Sequence, residues 1–288
     1  MNVFEKKSAK LRYRSHKRAV MTRNVFVYLL LQSFASSYSP TSFSPMLPGP
    51  EAEAIGAPVF TGENYVTLFT SEIYPFWRWW INSFVIALAT MIIQTVLVLG
   101  TSYALSRLKF KSRKGIMKMI LLLGMFPGFL SMIIIYFILK LLGIQQSIFS
   151  LILIYVASSA MNYYIAKGFF DTIPKSLDEA AMIDGANKNT VFFRIIMPLS
   201  KPIVVYTALI SFTSPWGDFM MASYLSLGIR DQMTVAVGLQ QMLSLANLQI
   251  YFPVFCAGGV VTSIPIMALF FWLQKYYVEG VTGGAVKG

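Results

Sequence analysis

The chain has 288 residues, of which 56% are hydrophobic and only 12% charged, with a mean hydropathy of +0.61. A soluble domain stays dissolved with roughly 25% charged residues, so a free-standing aqueous enzyme or binding module is excluded and a bilayer-embedded chain is implied. A net charge of +12 invites a nucleic-acid partner, but the basic residues are parcelled out between apolar segments instead of gathered on one face, which argues against it.

In chain order, residues 1–23 read as a basic cytoplasmic N-terminal arm. Residues 24–44 form a weak first transmembrane helix, whose apolar run is interrupted by Ser33, Ser36, Ser37, Ser39, Pro40 and Ser42. Small hydroxylated residues suit a helix packed against other helices. A cleaved signal peptide would have a shorter basic region and an A-x-A site, so the helix is read as retained. Residues 45–78 form an external segment that holds Glu51, Glu53, Glu63 and Glu72 and ends in the aromatic run Pro75–Trp80, read as an interfacial belt,.

Residues 79–276 form a membrane core of further spans. Windows near the length of about 20 residues needed to cross hydrocarbon run from Ile81 to Leu105, Ile116 to Leu142, Ile148 to Ala166, Ile203 to Leu225 and Val254 to Leu273. With the first helix, this predicts an all-α integral membrane protein of about six transmembrane helices. Within the spans, Asn82, Gln94, Thr95, Asn162, Ser211, Thr213 and Ser214 must face other helices or a water-filled path, because unsatisfied polar groups in lipid cost several kcal/mol. Asp218 is ionisable and near the outer end of its span, which makes it a site candidate. Asn82, Gln94, Asn162, Thr213, Trp216 and Asp218 are the candidate lining of a translocation path. Pro127 and Pro215 mark expected kinks.

Of the 24 Lys and Arg residues, 21 fall in the arm, between the second and third spans, around the loop 171–202, or in the tail. Arg78, Lys140 and Arg230 are left for the other side. The positive-inside rule therefore puts both termini and that loop in the cytoplasm.

The loop 171–202 is the most informative segment. Ser176 and Glu179 have capping-box spacing, Ala180, Ala181 and Met182 favour helix, Gly185 suits a turn, and Asn187 to Thr190 offer new N-caps. The expected shape is helix, glycine turn, helix, ended by Pro198 and Pro202. Elsewhere the single cysteine, Cys256, and the single histidine, His16, have no neighbours that would make a metal site or a nucleophile–base pair,. No P-loop or phosphate cradle is present in the sequence, so the chain is not expected to hydrolyse ATP.

Glu179-Ala180-Ala181, followed by Gly185, Ile195 and Pro198, resembles the EAA loop of the membrane subunits of binding-protein-dependent ABC importers, with Met197 in place of the usual leucine. From Phe60 to Gly288 the chain is similar to the second permease of the carbohydrate-uptake branch: N-Y-V-x-L-F at Asn64–Phe69, Y-A-L-S-R-L-K-F at Tyr103–Phe110, M-F-P at Met125–Pro127, and the ending G-V-T-G-G-A-V-K-G. Together with T-V-A-V-G-L-Q-Q-M-L at Thr234–Leu243, that ending is especially similar to maltose/maltodextrin-type permeases.

The resemblance implies a multi-pass, non-catalytic subunit in a bacterial inner membrane, with residues 79–276 as the permease core and the EAA loop 171–202 as its coupling element. Glu179, Ala180, Ala181, Asp184, Gly185, Ile195 and Pro198 would couple to an ATPase homodimer that carries ATP and Mg. The cytoplasmic tail 277–288, with Gly283, Gly284 and Lys287, would lie against that ATPase and order on binding. The remaining implied partners are a second permease subunit, an extracytoplasmic sugar-binding protein and an oligosaccharide, most simply a maltodextrin. An acidic glycan carried by the same architecture, or a stand-alone secondary transporter, are the alternatives. No cofactor or metal is expected on this chain.

Overall fold

The computed structural model describes residues 26–35, 60–126, 128–145, 147–226, 229–243 and 248–285; the basic arm, much of the external segment, Pro127 and Lys287 lie outside them. Among the described residues every regular element is helical, with one isolated bridge between Ala35 and Phe60. The helices are α1 (26–33), α2 (Glu63–Thr70), α3 (Phe76–Arg107), α4 (Arg113–Gly124), α5 (Gly128–Leu141), α6 (Ile148–Ala157) and α7 (Ala160–Thr172). They continue as α8 (Ser176–Ile183), α9 (Lys188–Leu199), α10 (Lys201–Gly217), α11 (Met220–Ser226), α12 (Val235–Met242) and α13 (Leu248–Ala285).

The chain divides into two compact units, the smaller combining residues up to Trp77 with Gly238–Ile264. There the end of α1 is held by Asn64, whose amide donates to the carbonyls of Ser33 at 3.0 Å and Ala35 at 2.8 Å. Tyr65 adds a hydroxyl contact to Ser33 at 2.8 Å. Leu68, Phe76 and Leu239 are buried around Gly258, so the opening N-Y-V-x-L-F segment packs by its asparagine, tyrosine and leucine.

The larger unit, Arg78–Val237 with Pro265 onward, is organised by α3. At 32 residues this helix runs about 48 Å, well past a hydrocarbon core of about 30 Å,. Every fourth residue from Asn82 is buried: Asn82, Ile86, Thr90, Gln94, Val98, Ser102 and Ser106. The opposite face exposes Val85, Leu88, Ile92 and Val96. Polar inside and apolar outside is the pattern that lipid requires, and it bears out the expectation that Asn82 and Gln94 turn away from hydrocarbon.

Several spans expected as single helices are broken. Among the described residues two helices, Phe76–Arg107 and Tyr251–Gln274 within α13, are each long and apolar enough to cross a membrane alone; counting bent pairs as spans raises the number to four. The window Ile116–Leu142 divides into α4 and α5, Ile148–Ala166 bends by 43° between α6 and α7, and Ile203–Leu225 divides at Asp218. Two serines, Ser158 and Ser159, interrupt the second of these. Pro215 sits inside α10 two residues before that helix ends, so the kink expected there becomes a terminus.

The aromatic run also differs from a simple belt. Phe76 and Trp79 turn inward and are fully buried, with Trp79 donating to the Arg230 carbonyl at 3.0 Å, while Trp77 is exposed. At the other end, the tail expected to be unstructured continues α13 as backbone helix through Gly283 and Gly284 to Ala285. No proline stands there to stop propagation.

Helices α4 and α7 meet at Gly124, where an added Cβ would lie 2.8 Å from the Ala160 Cβ. A Cβ cannot swing aside, so Gly124→Val is expected to lower stability by about 1–3 kcal/mol by forcing the helices apart. Gly115→Ala, with nothing within 4 Å, should not. Thermal unfolding of the purified proteins in detergent checks both.

Candidate functional site

The EAA loop is a helical hairpin with two well-formed ends. The N–H of Gly185 bonds the Met182 carbonyl at 3.1 Å and that of Ala186 bonds the Ala181 carbonyl at 2.9 Å. With Gly185 at φ +84, this is a Schellman ending, which needs the left-handed residue that glycine supplies without strain,. Two residues on, the Asn187 side chain caps α9 by accepting from the Thr190 N–H at 2.9 Å. The expected helix, glycine turn and helix are all present.

The start and end of the hairpin differ from expectation. Ser176 does not cap: the Lys175 carbonyl accepts from the N–H groups of Asp178 and Glu179 at 3.0 and 3.1 Å, so the helix begins one residue earlier and Glu179 stays free for solvent. Nor does Pro198 end α9. Residues Val191–Ile196 widen into a π-helix, which accommodates a proline that lacks an N–H, and the helix stops at Ser200,. There the chain turns by 81° into α10, with Pro202 in its first turn,.

The hairpin is held from the end of α3. Arg107 donates through Nη2 to the carbonyls of Phe170 at 2.9 Å and Ile173 at 2.7 Å, and its Nε lies 3.4 Å from Oδ2 of Asp178 in α8. The pair is buried, with side-chain exposures of 4% and 13%. The preceding residue, Ser106, donates to Asp171 at 2.6 Å, and Asp171 is also paired with Lys167. Tyr103 packs on Phe170 and Phe192 at centroid distances of 6.0 and 4.5 Å. Below them Val98, Leu99, Ala166, Phe170, Ala181, Val191, Ile196 and Ile203 form one buried cluster.

The predicted coupling residues therefore divide. Ala181 is buried and Ile195 packs partly against the same cluster. Glu179, Ala180, Asp184, Gly185 and Pro198 are exposed. Beside them stand exposed apolar side chains the sequence reading did not single out, with Ile183 86% exposed, Phe193 67% and Met182 47%. Of the predicted tail residues, Gly283 and Gly284 lie in α13 and Lys287 falls outside the described residues.

Inside the larger unit, Gln94 and Asn162 come together. With Tyr155, Ser158 and Ser214 among the walls, they line a cavity of about 220 Å³ at the break between α6 and α7. The break leaves the Tyr155 carbonyl without a helical partner, and Gln94 supplies one through Nε2 at 2.8 Å. Tyr155 in turn donates from its hydroxyl to Asp218 at 2.7 Å, and Asp218 also accepts from the Met221 N–H at 3.2 Å.

The other predicted path residues are engaged elsewhere. Asn82 donates to the carbonyls of Asp231 at 2.8 Å and Met233 at 3.0 Å. Thr213 bonds its own helix at Leu209, and Trp216 is buried against Trp80 and Phe212.

Sequence reasoning missed Arg107, Asp178 and Tyr155. Arg107 was legible only as one cation in a basic run, since its partners are 63 to 71 residues away. The Ser158-Ser159 pair inside an apolar window was the available signal for the cavity.

Comparison with known proteins agrees with this architecture. Residues 96–283 match the family described as binding-protein-dependent transport system inner membrane component. The galactooligosaccharides transport system permease GanQ of Bacillus subtilis is 37% identical over 272 residues, covering 92% of this chain and 91% of that protein. The maltodextrin transport system permease MalD of Streptococcus pneumoniae is 39% identical over 228 residues, covering 78% and 80%. A chain of a crystal structure titled as a bacterial ABC transporter involved in import of the acidic polysaccharide alginate superposes with a TM-score of 0.72 at 19% identity, covering 96% of this chain and 99% of that one, which supports the fold. A match over most of the chain, together with relatives this similar along nearly their whole length, makes this chain a member of the binding-protein-dependent transport system inner membrane component family.

Proposed function

We propose that this chain is the permease subunit of an ATP-driven importer of neutral oligosaccharides, working by alternating access with a second permease, an ATPase dimer and an extracytoplasmic sugar-binding protein. It is read as having about six spans and both termini in the cytoplasm, the side favoured by its basic loops. The observation that carries the reading is the two-faced EAA hairpin. Its inner face is fixed to α3, α7 and α10 by a buried ion pair and a packed core, while its outer face offers Glu179, Met182, Ile183 and Phe193 to solvent. Such a projection suits a socket on a separate motor subunit, where an apolar anchor ringed by charge gives affinity and register. ATP and Mg belong to that subunit, and the helical tail through Gly284 with Lys287 beyond it is read as a second contact.

The cavity bears on the substrate. Its walls, Gln94, Tyr155, Ser158, Ser159, Met161, Asn162, Ile210 and Ser214, include no cation. A path for an anionic glycan is expected to carry Arg or Lys, whereas amides, hydroxyls and an aromatic ring suit sugar hydroxyls. Two of the relatives are named for neutral oligosaccharides, and a maltodextrin is the favoured cargo.

Coupling is checked by copurification and by substrate-stimulated ATP hydrolysis. Ile183→Glu and Glu179→Lys are expected to weaken ATPase capture by roughly tenfold or more while leaving membrane insertion intact, and removal of residues 282–288 to weaken it less. Wild-type coupling in Ile183→Glu and Glu179→Lys together would count against the socket.

Arg107→Met leaves Asp178 buried without its cation, a loss of about 3–5 kcal/mol. The double change Arg107→Met with Asp178→Leu is expected to recover most of the stability, as read by unfolding midpoints, and to show whether the ion pair itself or only its packing is needed for coupling.

In proteoliposomes containing the full importer, maltodextrins are expected to stimulate ATP hydrolysis, with uronic-acid oligomers inert. Stimulation by the uronic acids alone would reverse the substrate class and leave the architecture standing.

A further inference from the structure

Helices α4 and α7 touch at one end and part at the other. Gly124 abuts Ala160, and Tyr164 donates from its hydroxyl to the Met117 carbonyl at 2.8 Å. Toward the start of α4 the helices separate around a cavity of about 480 Å³ lined by Arg113, Lys114, Met117, Lys118 and Lys167. Four of these five are cations. Asp171 pairs with Lys167 and lies in the field of Arg113; Lys114 and Lys118 have no ion-pair partner among the described residues. Gathering four like charges around one concavity raises the local potential and is unfavourable until an anion enters.

The surroundings say what kind of anion. Deeper along α4, Leu122 continues the four-residue row of Lys114 and Lys118 and is 69% exposed, and Leu121, four residues beyond Met117, is 46% exposed,. Cations at the mouth with exposed leucines continuing the same helix face match a molecule that is anionic at one end and hydrocarbon at the other. A soluble phosphate has no use for the lower part. The positive-inside rule, on which this placement rests, puts the cavity at the cytoplasmic face, where anionic lipids draw basic pockets between helices.

We propose that this cavity is a binding site for the phosphate headgroup of an anionic phospholipid, whose acyl chains lie along α4 and α7. The site is independent of the sugar transported. Each cation is expected to contribute about fivefold to the affinity, so Arg113→Gln with Lys118→Gln should weaken binding by more than tenfold.

The test uses the full-length chain, with its copurifying subunits, in nanodiscs of phosphatidylcholine with a small fraction of phosphatidylglycerol. Lipid retained after detergent extraction is counted by native mass spectrometry. Wild type is expected to retain phosphatidylglycerol, Arg113→Gln/Lys118→Gln to lose it, and Lys118→Arg to keep it. Lys109→Gln/Lys111→Gln removes two exposed cations of the neighbouring turn that do not line the cavity, and should retain the lipid. Equal loss in the two double variants would show only diffuse surface attraction and overturn the proposal. So would retention in all variants, or displacement of the lipid by millimolar inorganic phosphate, which would identify a soluble phosphate as the ligand. Monodisperse assembly of each variant separates lost binding from lost folding.

Discussion

The four-residue stripe of α3 is the constraint on which the larger unit depends. A helix that crosses hydrocarbon satisfies its own backbone, but a polar side chain it carries costs free energy of insertion unless another element meets it, as happens at four positions of the stripe though not at Thr90. Asn82, Gln94, Ser102 and Ser106 lie on one face because four residues is close to one helical turn, and each finds a different partner. Asn82 takes the Asp231 and Met233 carbonyls, Gln94 takes Tyr155, Ser102 takes Tyr163 and Ser106 takes Asp171. One ridge thereby sets the positions of the 230s segment, the α6–α7 break and the start of the EAA hairpin.

The arrangement also explains why broken helices are stable at membrane depth. Unwinding at Ser158 and Ser159 frees carbonyls that lipid would not tolerate, yet the Ser159 hydroxyl donates to Val156 and Gln94 donates to Tyr155. Irregular backbone in a bilayer persists where it is buried in protein or lines a polar cavity, and both conditions hold here. Fixing the break also places Tyr155 to reach Asp218, so an acidic side chain at the end of α10 is tied to α6. A change at the cavity is felt on two helices at once.

The sequence was informative where the physics is local. The Schellman ending at Gly185, the Asn187 cap and the burial of Asn82 and Gln94 follow from residue type and spacing, and the structure contains them. The capping box at Ser176 was local too, yet failed, because the Lys175 carbonyl supplies what the serine hydroxyl would have. Hydropathy windows found the membrane segments but not their breaks, since a serine pair or a short polar gap hardly lowers an average taken over a span. The Arg107–Asp178 pair was invisible, for nothing in either segment points to a partner 71 residues away.

The lever role proposed for the EAA hairpin requires that it not bend, and its contacts bear on that requirement. Its turn is closed by two backbone bonds and a side-chain cap, so its two helices move together. Its inner face enters the same cluster as Val98 and Leu99 of α3, Ala166 and Phe170 of α7 and Ile203 of α10. Close-packed interiors are bistable more readily than they are compliant, so in the proposed coupling a push on the hairpin would reach α3, α7 and α10 as displacement instead of being absorbed locally. Arg107 ties the joint together: from α3 it bonds the Phe170 and Ile173 carbonyls and pairs with Asp178 in the first turn of α8, with little solvent to screen the charge. The proposed coupling needs no signal along the backbone, since one hairpin is packed as a continuation of three membrane helices.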